Sequence, residues 1–176
     1  MLKKIFDITT TVIMSFVLIF AVLLVGVRIF GLKPYTVLSG SMEPTYHVGS
    51  LIYVKDVKPE DLEIGDSITY IINGNTVVTH RIIDITGEDG NIKFHTKGDN
   101  NDVADGEPVP AANIIGKPVF TIPLLGYIAY FVQNSPGNII VFSILGLLLI
   151  LTFVPDILDK IENKDKENKE DGGQKN

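Results

Sequence analysis

Residues 67–85 read Ser67–Ile72 (SITYII), then Asn73–Asn75 (NGN), then Thr76–Ile85 (TVVTHRIIDI). Two runs rich in β-branched residues enclose an Asn-Gly turn, the strongest short-range mark of a β-hairpin. Gly65-Asp66 opens the first of them. The same texture continues outward. Tyr35–Leu38, Ser50–Val54, Ile92–Thr96 and Ile114–Phe120 are further short strand candidates, and Glu88–Asn91 (EDGN) is a turn between two of them. No long amphipathic helical pattern and no internal repeat interrupts the series. Residues 32–135 are therefore expected to be mainly β, an antiparallel and partly barrel-like domain.

The two ends differ in kind. Ile8–Val27 is a run of 20 uncharged residues behind Lys3 and Lys4. As a helix it rises roughly 30 Å, the thickness of a hydrocarbon core. It ends Val-Gly-Val-Arg-Ile-Phe-Gly, without the small-residue cleavage pattern of a signal peptide. Residues 1–31 thus read as a cytoplasmic tip and an uncleaved anchor. Pro118–Pro155 holds 38 residues without a charge, interrupted at 133–138 by QNSPGN. Its second part, 136–155, reads as a C-terminal transmembrane helix around the 16 uncharged, mostly apolar residues of Ile139–Val154. Its first part, 118–132 (PVFTIPLLGYIAYFV), holds Pro123 and Gly126. It reads as a strand end followed by a loop that dips into the outer leaflet; an ordinary core strand fits the same pattern. Residues 156–176 are Lys/Glu/Asn-rich and expected to be a disordered cytoplasmic tail. Two spans with both termini inside put residues 32–135 on the outer face of the plasma membrane.

Composition narrows the chemistry. The 176 residues include no Cys, which excludes a disulfide scaffold, a thiol nucleophile and a Cys-based zinc site. The net charge is −6, and residues 31–135 carry seven basic against thirteen acidic groups. So acidic a middle lacks the basic footprint of a nucleic-acid binder. Asp99, Asp102 and Asp105 share one loop, but without the Gly and terminal Glu spacing of a helical calcium site, and no metal or cofactor is expected.

Ser39-Gly40-Ser41-Met42-Glu43-Pro44 follows the Tyr35–Leu38 strand candidate. A serine on such a turn can point into a cleft, but it needs a base to become a nucleophile; an ordinary Ser/Gly turn uses the same residue types. Of three histidines, His47 lies in a surface-like stretch, and His95 shares the solvated face of Lys93 and Lys97. His80 shares its parity with Val78 and Ile82, the more apolar face of its strand. A half-buried imidazole there suits a general base, and a satisfied core histidine suits the same place. An acid of the 99–105 loop could hold its tautomer.

Taken together and in order, these boxes resemble the type I signal peptidases. Pro34-Tyr35 precedes the Ser39–Pro44 box, Gly65-Asp66 opens a strand, and Thr79-His80-Arg81-Ile82 and Lys97-Gly98-Asp99-Asn100-Asn101 follow. The resemblance runs from Pro34 to Phe131. The usual bacterial type has Lys-Arg in the third box, with the lysine as base. His80-Arg81 here is similar to the endoplasmic-reticulum and archaeal branch, which also has members in Gram-positive bacteria. The resemblance implies a membrane-bound serine endopeptidase that removes N-terminal signal peptides from exported precursor proteins. It implies Ser41 as nucleophile, His80 as base, and the Ser39 hydroxyl with the Ser41 N–H as oxyanion donors. Asp105 takes the place of the triad acid, and Asp99 matches a second important acid. The implied partners are signal peptides and the lipid bilayer, with accessory subunits unspecified. Tyr35–Leu38 and the strand near Gly65–Tyr70 are the expected lining of the substrate pockets. Two other readings stand beside it. A non-catalytic membrane-anchored β scaffold would tolerate loss of Ser41. A Ser/Lys processing protease would draw its base from Lys55 or Lys58.

Overall fold

The computed structural model describes residues 2–24, 26–87, 91–148 and 150. The chain divides into two units, residues 19–131 and residues 1–18 with 132–176.

The unit 19–131 holds seven strands: β1 (Leu32–Thr36), β2 (Leu51–Lys55), β3 (Ser67–Ile72), β4 (Thr76–Thr86), β5 (Lys93–Lys97), β6 (Val109–Pro110) and β7 (Ile114–Ile122). They form one antiparallel sheet in the order β1-β2-β7-β3-β4-β5-β6. The sheet is open, with β1 and β6 as its edges, which corrects the barrel-like expectation. Closure would need β6 to pair across the gap. It is two residues long and ends in Pro110, which has no N–H to give. The other edge carries Pro34, opposite Tyr53 of β2.

The β3–β4 hairpin is as the Asn-Gly signal implies. Ile72 faces Thr76, and Asn73 and Gly74 take left-handed φ of 49° and 79° at the turn. β1 begins three residues earlier than expected, because an edge strand accepts Pro34. Val37 still bonds to the neighbouring segment through Ser50 O and Gly49 N at 2.9 Å each. β7 serves two neighbours in turn, β3 through Ile114 and Gly116, then β2 from Lys117 onward. Gly116 sits at that transfer with φ 151°, and a Cβ there would lie 2.1 Å from Lys55 O.

Two apolar clusters hold the sheet. Leu62, Ile68, Tyr70, Ile82, Phe94 and Val109 form one. The other is Leu51, Tyr53 and Ala129, with Val27, Leu32, Ile122 and Leu125 against it. Each fully buried large side chain contributes about 1.5–3 kcal/mol. A register shift between Ile82 and Asp84 bends β4, so that Ile85 joins the same cluster as Ile82.

Residues 118–122 are the expected strand end, but the expected loop after them is a helix. β7 runs to Ile122, and a turn at Leu124 (φ 64°) leads into helix α2, Leu125–Gln133. The helix wins because its inner positions Gly126 and Ala129 are buried, at helical spacing. Gly126 is required there, since a Cβ would meet Ser50 O at 2.3 Å.

α1 spans Leu2–Leu24, and the stretch Ile8–Phe30 is long and apolar enough to cross a membrane. Its Leu23 carbonyl accepts the hydroxyl of fully buried Tyr53 at 2.8 Å, which satisfies one C-terminal carbonyl of the helix. In the other unit, α3 covers Gly137–Leu148. Residues 149 and 151–155 of the expected second span, the charged tail and residues 88–90 of the expected turn lie outside the described residues.

Gly116→Ala and Gly126→Ala should each destabilise the chain by about 1–3 kcal/mol. Gly106→Ala, whose Cβ meets nothing within 4 Å, should stay within about 0.5 kcal/mol. Thermal unfolding in detergent measures all three. An unchanged midpoint for Gly126→Ala would mean that α2 does not seat on Gly49–Ser50.

Candidate active site

Ser41 lies in a 3₁₀ turn, Gly40–Met42, pinned by the buried Met42 side chain. Its carbonyl accepts the Asn100 N–H at 2.9 Å. Gly98 lies against that carbonyl so closely that a Cβ would come within 2.5 Å of the oxygen. The Lys97–Asn101 box therefore packs on the serine turn backbone to backbone, which only glycine permits.

His80 sits on β4 opposite Ile68 of β3, on the face of Val78 and Ile82, and is 8% exposed. Its Nε2 is 3.1 Å from Ser41 Oγ and its Nδ1 2.6 Å from Asp105 Oδ2. A carboxylate only accepts, so Nδ1 carries the proton and Nε2 is left to accept from the Ser41 hydroxyl. Ser39 Oγ is exposed and 3.3 Å from Ser41 Oγ.

Asp105 stands in the irregular stretch after β5 and is tied back by its N–H to Thr96 O at 2.9 Å. Its Oδ2 also accepts the Thr96 hydroxyl at 2.6 Å and the Tyr70 hydroxyl at 3.1 Å. Burial pushes the carboxyl up, but the donors Thr96, His80 and Tyr70 outweigh it and hold the group below its ordinary value. Tyr70 is pushed up to about 12, first by burial, so it remains a donor. Sequence reasoning missed Tyr70 and Thr96. The signal was the two-residue period. Tyr70 follows Ile68 by two, Thr96 faces Ile82, and both share the face of His80.

Asp99 is placed elsewhere. Arg81 points to the opposite face of β4 and grips it through Nε–Oδ1 at 2.7 Å and Nη2–Oδ2 at 2.6 Å. The Thr45 hydroxyl donates to the same Oδ2 at 2.5 Å, and Arg81 Nη1 reaches Gly65 O at 2.7 Å. The Arg81 hydrogen bonds, chiefly, hold Asp99 below the usual carboxylate range. Asp102 is exposed. His47 is exposed and paired with Glu43 at 2.6 Å, and His95 lies 3.3 Å from Thr86. Lys55 and Lys58 are exposed, and the titratable side chain hydrogen-bonded to Ser41 is His80. A cavity of about 360 Å³ beside β1 is lined by Arg28, Leu32, Lys33, Tyr35 and Asp56, away from Ser41 and His80. β3 pairs with β4 along Ser67–Ile72 and with β7 at Thr69 and Tyr70.

Residues 9–92 match the family model described as signal peptidase, peptidase S26. Over 121 residues the chain is 40% identical to signal peptidase I W of Bacillus subtilis (strain 168), covering 64% of each chain. It is 31% identical over 125 residues to the signal peptidase complex catalytic subunit SEC11 of Colletotrichum graminicola, covering 65% of this chain and 73% of that one. With the human catalytic subunit SEC11C it shares 31% over 109 residues, 57% of each. The chain thus spans less than two thirds of the Bacillus and human relatives.

Because the folded Asp99 carboxyl lies below its unfolded value, its stabilisation is complete above the ordinary carboxylate range and is lost as pH falls through the folded value. Asp99→Asn should be less stable at neutral pH and lose less melting temperature on acidification. Parallel curves for the two proteins would refute the Arg81–Asp99 contribution.

Proposed function

The chain belongs to the peptidase S26 family of signal peptidases, and we propose that it is a membrane-bound serine endopeptidase that removes N-terminal signal peptides from exported precursors through Ser41, His80 and Asp105. One observation carries the reading: Ser41 Oγ, His80 and Asp105 form one hydrogen-bonded line of 3.1 and 2.6 Å.

An alcohol is protonated at neutral pH, so Ser41 must pass its proton on as it attacks. His80 Nε2 is the neighbour that takes it. Oγ bonds to the scissile carbonyl carbon, the π pair moves onto the carbonyl oxygen, and the imidazolium forms against Asp105. The exposed Ser39 hydroxyl and the Ser41 N–H serve the oxyanion. Collapse breaks the C–N bond, and His80 returns the proton to the departing amine of the mature chain. Water then attacks the Ser41 ester by the same route. Arg81 is no base, because a guanidinium does not deprotonate in proteins, and Asp99 holds Arg81 rather than His80.

A tethered substrate suits a tethered enzyme. Leu124, Tyr127, Ile128, Tyr130 and Phe131 are exposed around and along α2, the side chains of a bilayer interface. Together with the Ile8–Phe30 anchor they support a site seated at the outer leaflet, with residues 32–135 outside and both termini in the cytoplasm. In that arrangement 136–155 supplies the second span. The free edge of β1 leads toward Ser41 and can take an extended cleavage site as an added strand.

Ser41→Ala and His80→Ala should each abolish cleavage of a signal-peptide-bearing precursor by the purified chain in detergent. Asp105→Asn should cost on the order of a thousandfold or more. Full activity in His80→Ala would sink the assignment. Polar replacement of Leu124, Ile128 and Phe131 should slow cleavage of a membrane-held precursor more than that of a soluble peptide; equal losses would point to misfolding instead. Cysteines placed singly at Asn75 and Asn176 of this Cys-free chain should be labelled from opposite sides, and labelling of both from outside would defeat the topology.

A further inference from the structure

We propose that Tyr70 and Thr96 are positioning residues, a buried pair of hydroxyls that aims Asp105 Oδ2 at His80. The proposal rests on the Ser41–His80–Asp105 reading and extends it to two side chains that touch neither Ser41 nor substrate.

Asp105 belongs to no strand, and two rotatable bonds separate its oxygens from the backbone. Yet one oxygen gathers donors from three adjacent strands, Tyr70 of β3 at 3.1 Å, His80 of β4 at 2.6 Å and Thr96 of β5 at 2.6 Å. Thr96 also takes the Asp105 N–H on its own carbonyl at 2.9 Å, so one strand residue holds both the backbone and the carboxylate of the acid. Both hydroxyls are held by their own strands, independently of the loop. Tyr70 is 2% exposed, with its ring in the cluster of Ile68, Ile82 and Phe94, and Thr96 is 1% exposed with a stiff β-branched side chain.

Counting protons orders the bonds. A threonine has one hydroxyl proton, and at 2.6 Å it goes to Asp105. The Tyr70 proton is then shared between Asp105 Oδ2 and Thr96 Oγ1, which lies 3.0 Å away. Neither hydroxyl has a proton to withdraw from this duty, and Tyr70 stays protonated throughout the working range of a histidine base. The arrangement keeps the half-buried acid ionised, and it leaves Nδ1–H of His80 with a fixed acceptor. The ionisable groups facing Asp105 are His80 from β4 and Tyr70 from β3. Asp99, the other acid of the loop, acts on His80 only through space and is bound to Arg81 on the opposite face.

The test uses the full chain in detergent, with Tyr70→Phe, Thr96→Val and Thr96→Ser made singly and the first two repeated in Asp105→Asn. Hydrogen bonds to a charged group set the expected sizes. Thr96→Val should lower kcat about ten- to a hundredfold and Tyr70→Phe about three- to tenfold, with KM within about twofold and Thr96→Ser close to wild type. The acid limb of kcat/KM in Tyr70→Phe should move to higher pH, because a carboxylate with one donor fewer stabilises the imidazolium more. In the Asp105→Asn background neither change should cost anything further. The same loss with and without the Asp105 carboxylate, or wild-type kcat in both single variants beside an impaired Asp105→Asn, would overturn the proposal. Full activity in Asp105→Asn itself would instead overturn the reading on which it stands.

Discussion

A carboxylate drawn partly out of water must be given donors or lose its charge, and the unit 19–131 is laid out so that Asp105 receives them. The donors come from β3, β4 and β5, so the acid is served only if those strands lie side by side in that order and in that register. A slip of one residue in β4 would turn His80 to the far face and bring Thr79 or Arg81 in its place. The hairpin at Asn73-Gly74 guards against it, and so does the burial of Ile68, Tyr70 and Ile82 on one side. The geometry of the candidate site and the packing of the core are two uses of the same parity.

That parity also sorts the acids. His80 and Arg81 are neighbours in sequence and point to opposite faces of β4, so the loop that follows β5 meets an imidazole on one side and a guanidinium on the other. Asp99 is taken by the cation, and Asp105 by the ring. Two carboxylates six positions apart thereby acquire different duties without any difference in residue type. Between them Gly98 and Asn100 fasten the loop to the serine turn through the backbone.

Much of this was legible in the residues alone. The hairpin, five of the seven strands near their places, and the face of His80 follow from turn chemistry and a period of two. The one-residue contacts of the loop do not, since no local pattern says which acid reaches which base; the order of the boxes brought Asp105 forward through resemblance. β6 was missed because two residues have no period. The helix at Leu125–Gln133 was missed because Pro123 and Gly126 read as breakers, whereas one precedes the helix and the other lets it approach Ser50. Closure of the sheet was over-read: many short strands suggest a barrel, and nothing local announces that the last one is too short to close it.

The open sheet has a consequence beyond the site. An unpaired strand edge invites the edge of another copy, and an anchored protein meets its copies at high local density. Here both free edges carry a proline, Pro34 in β1 and Pro110 in β6. Val37 spends its backbone bonds on Ser50 and Gly49, so the alternate residues, Pro34 among them, face outward. One missing donor in the middle of β1 leaves too little ladder for two whole strands to zip together, while Thr36 and Leu38, nearest the serine, remain open to a short visitor. The chain can crowd in a membrane without polymerising through its own sheet.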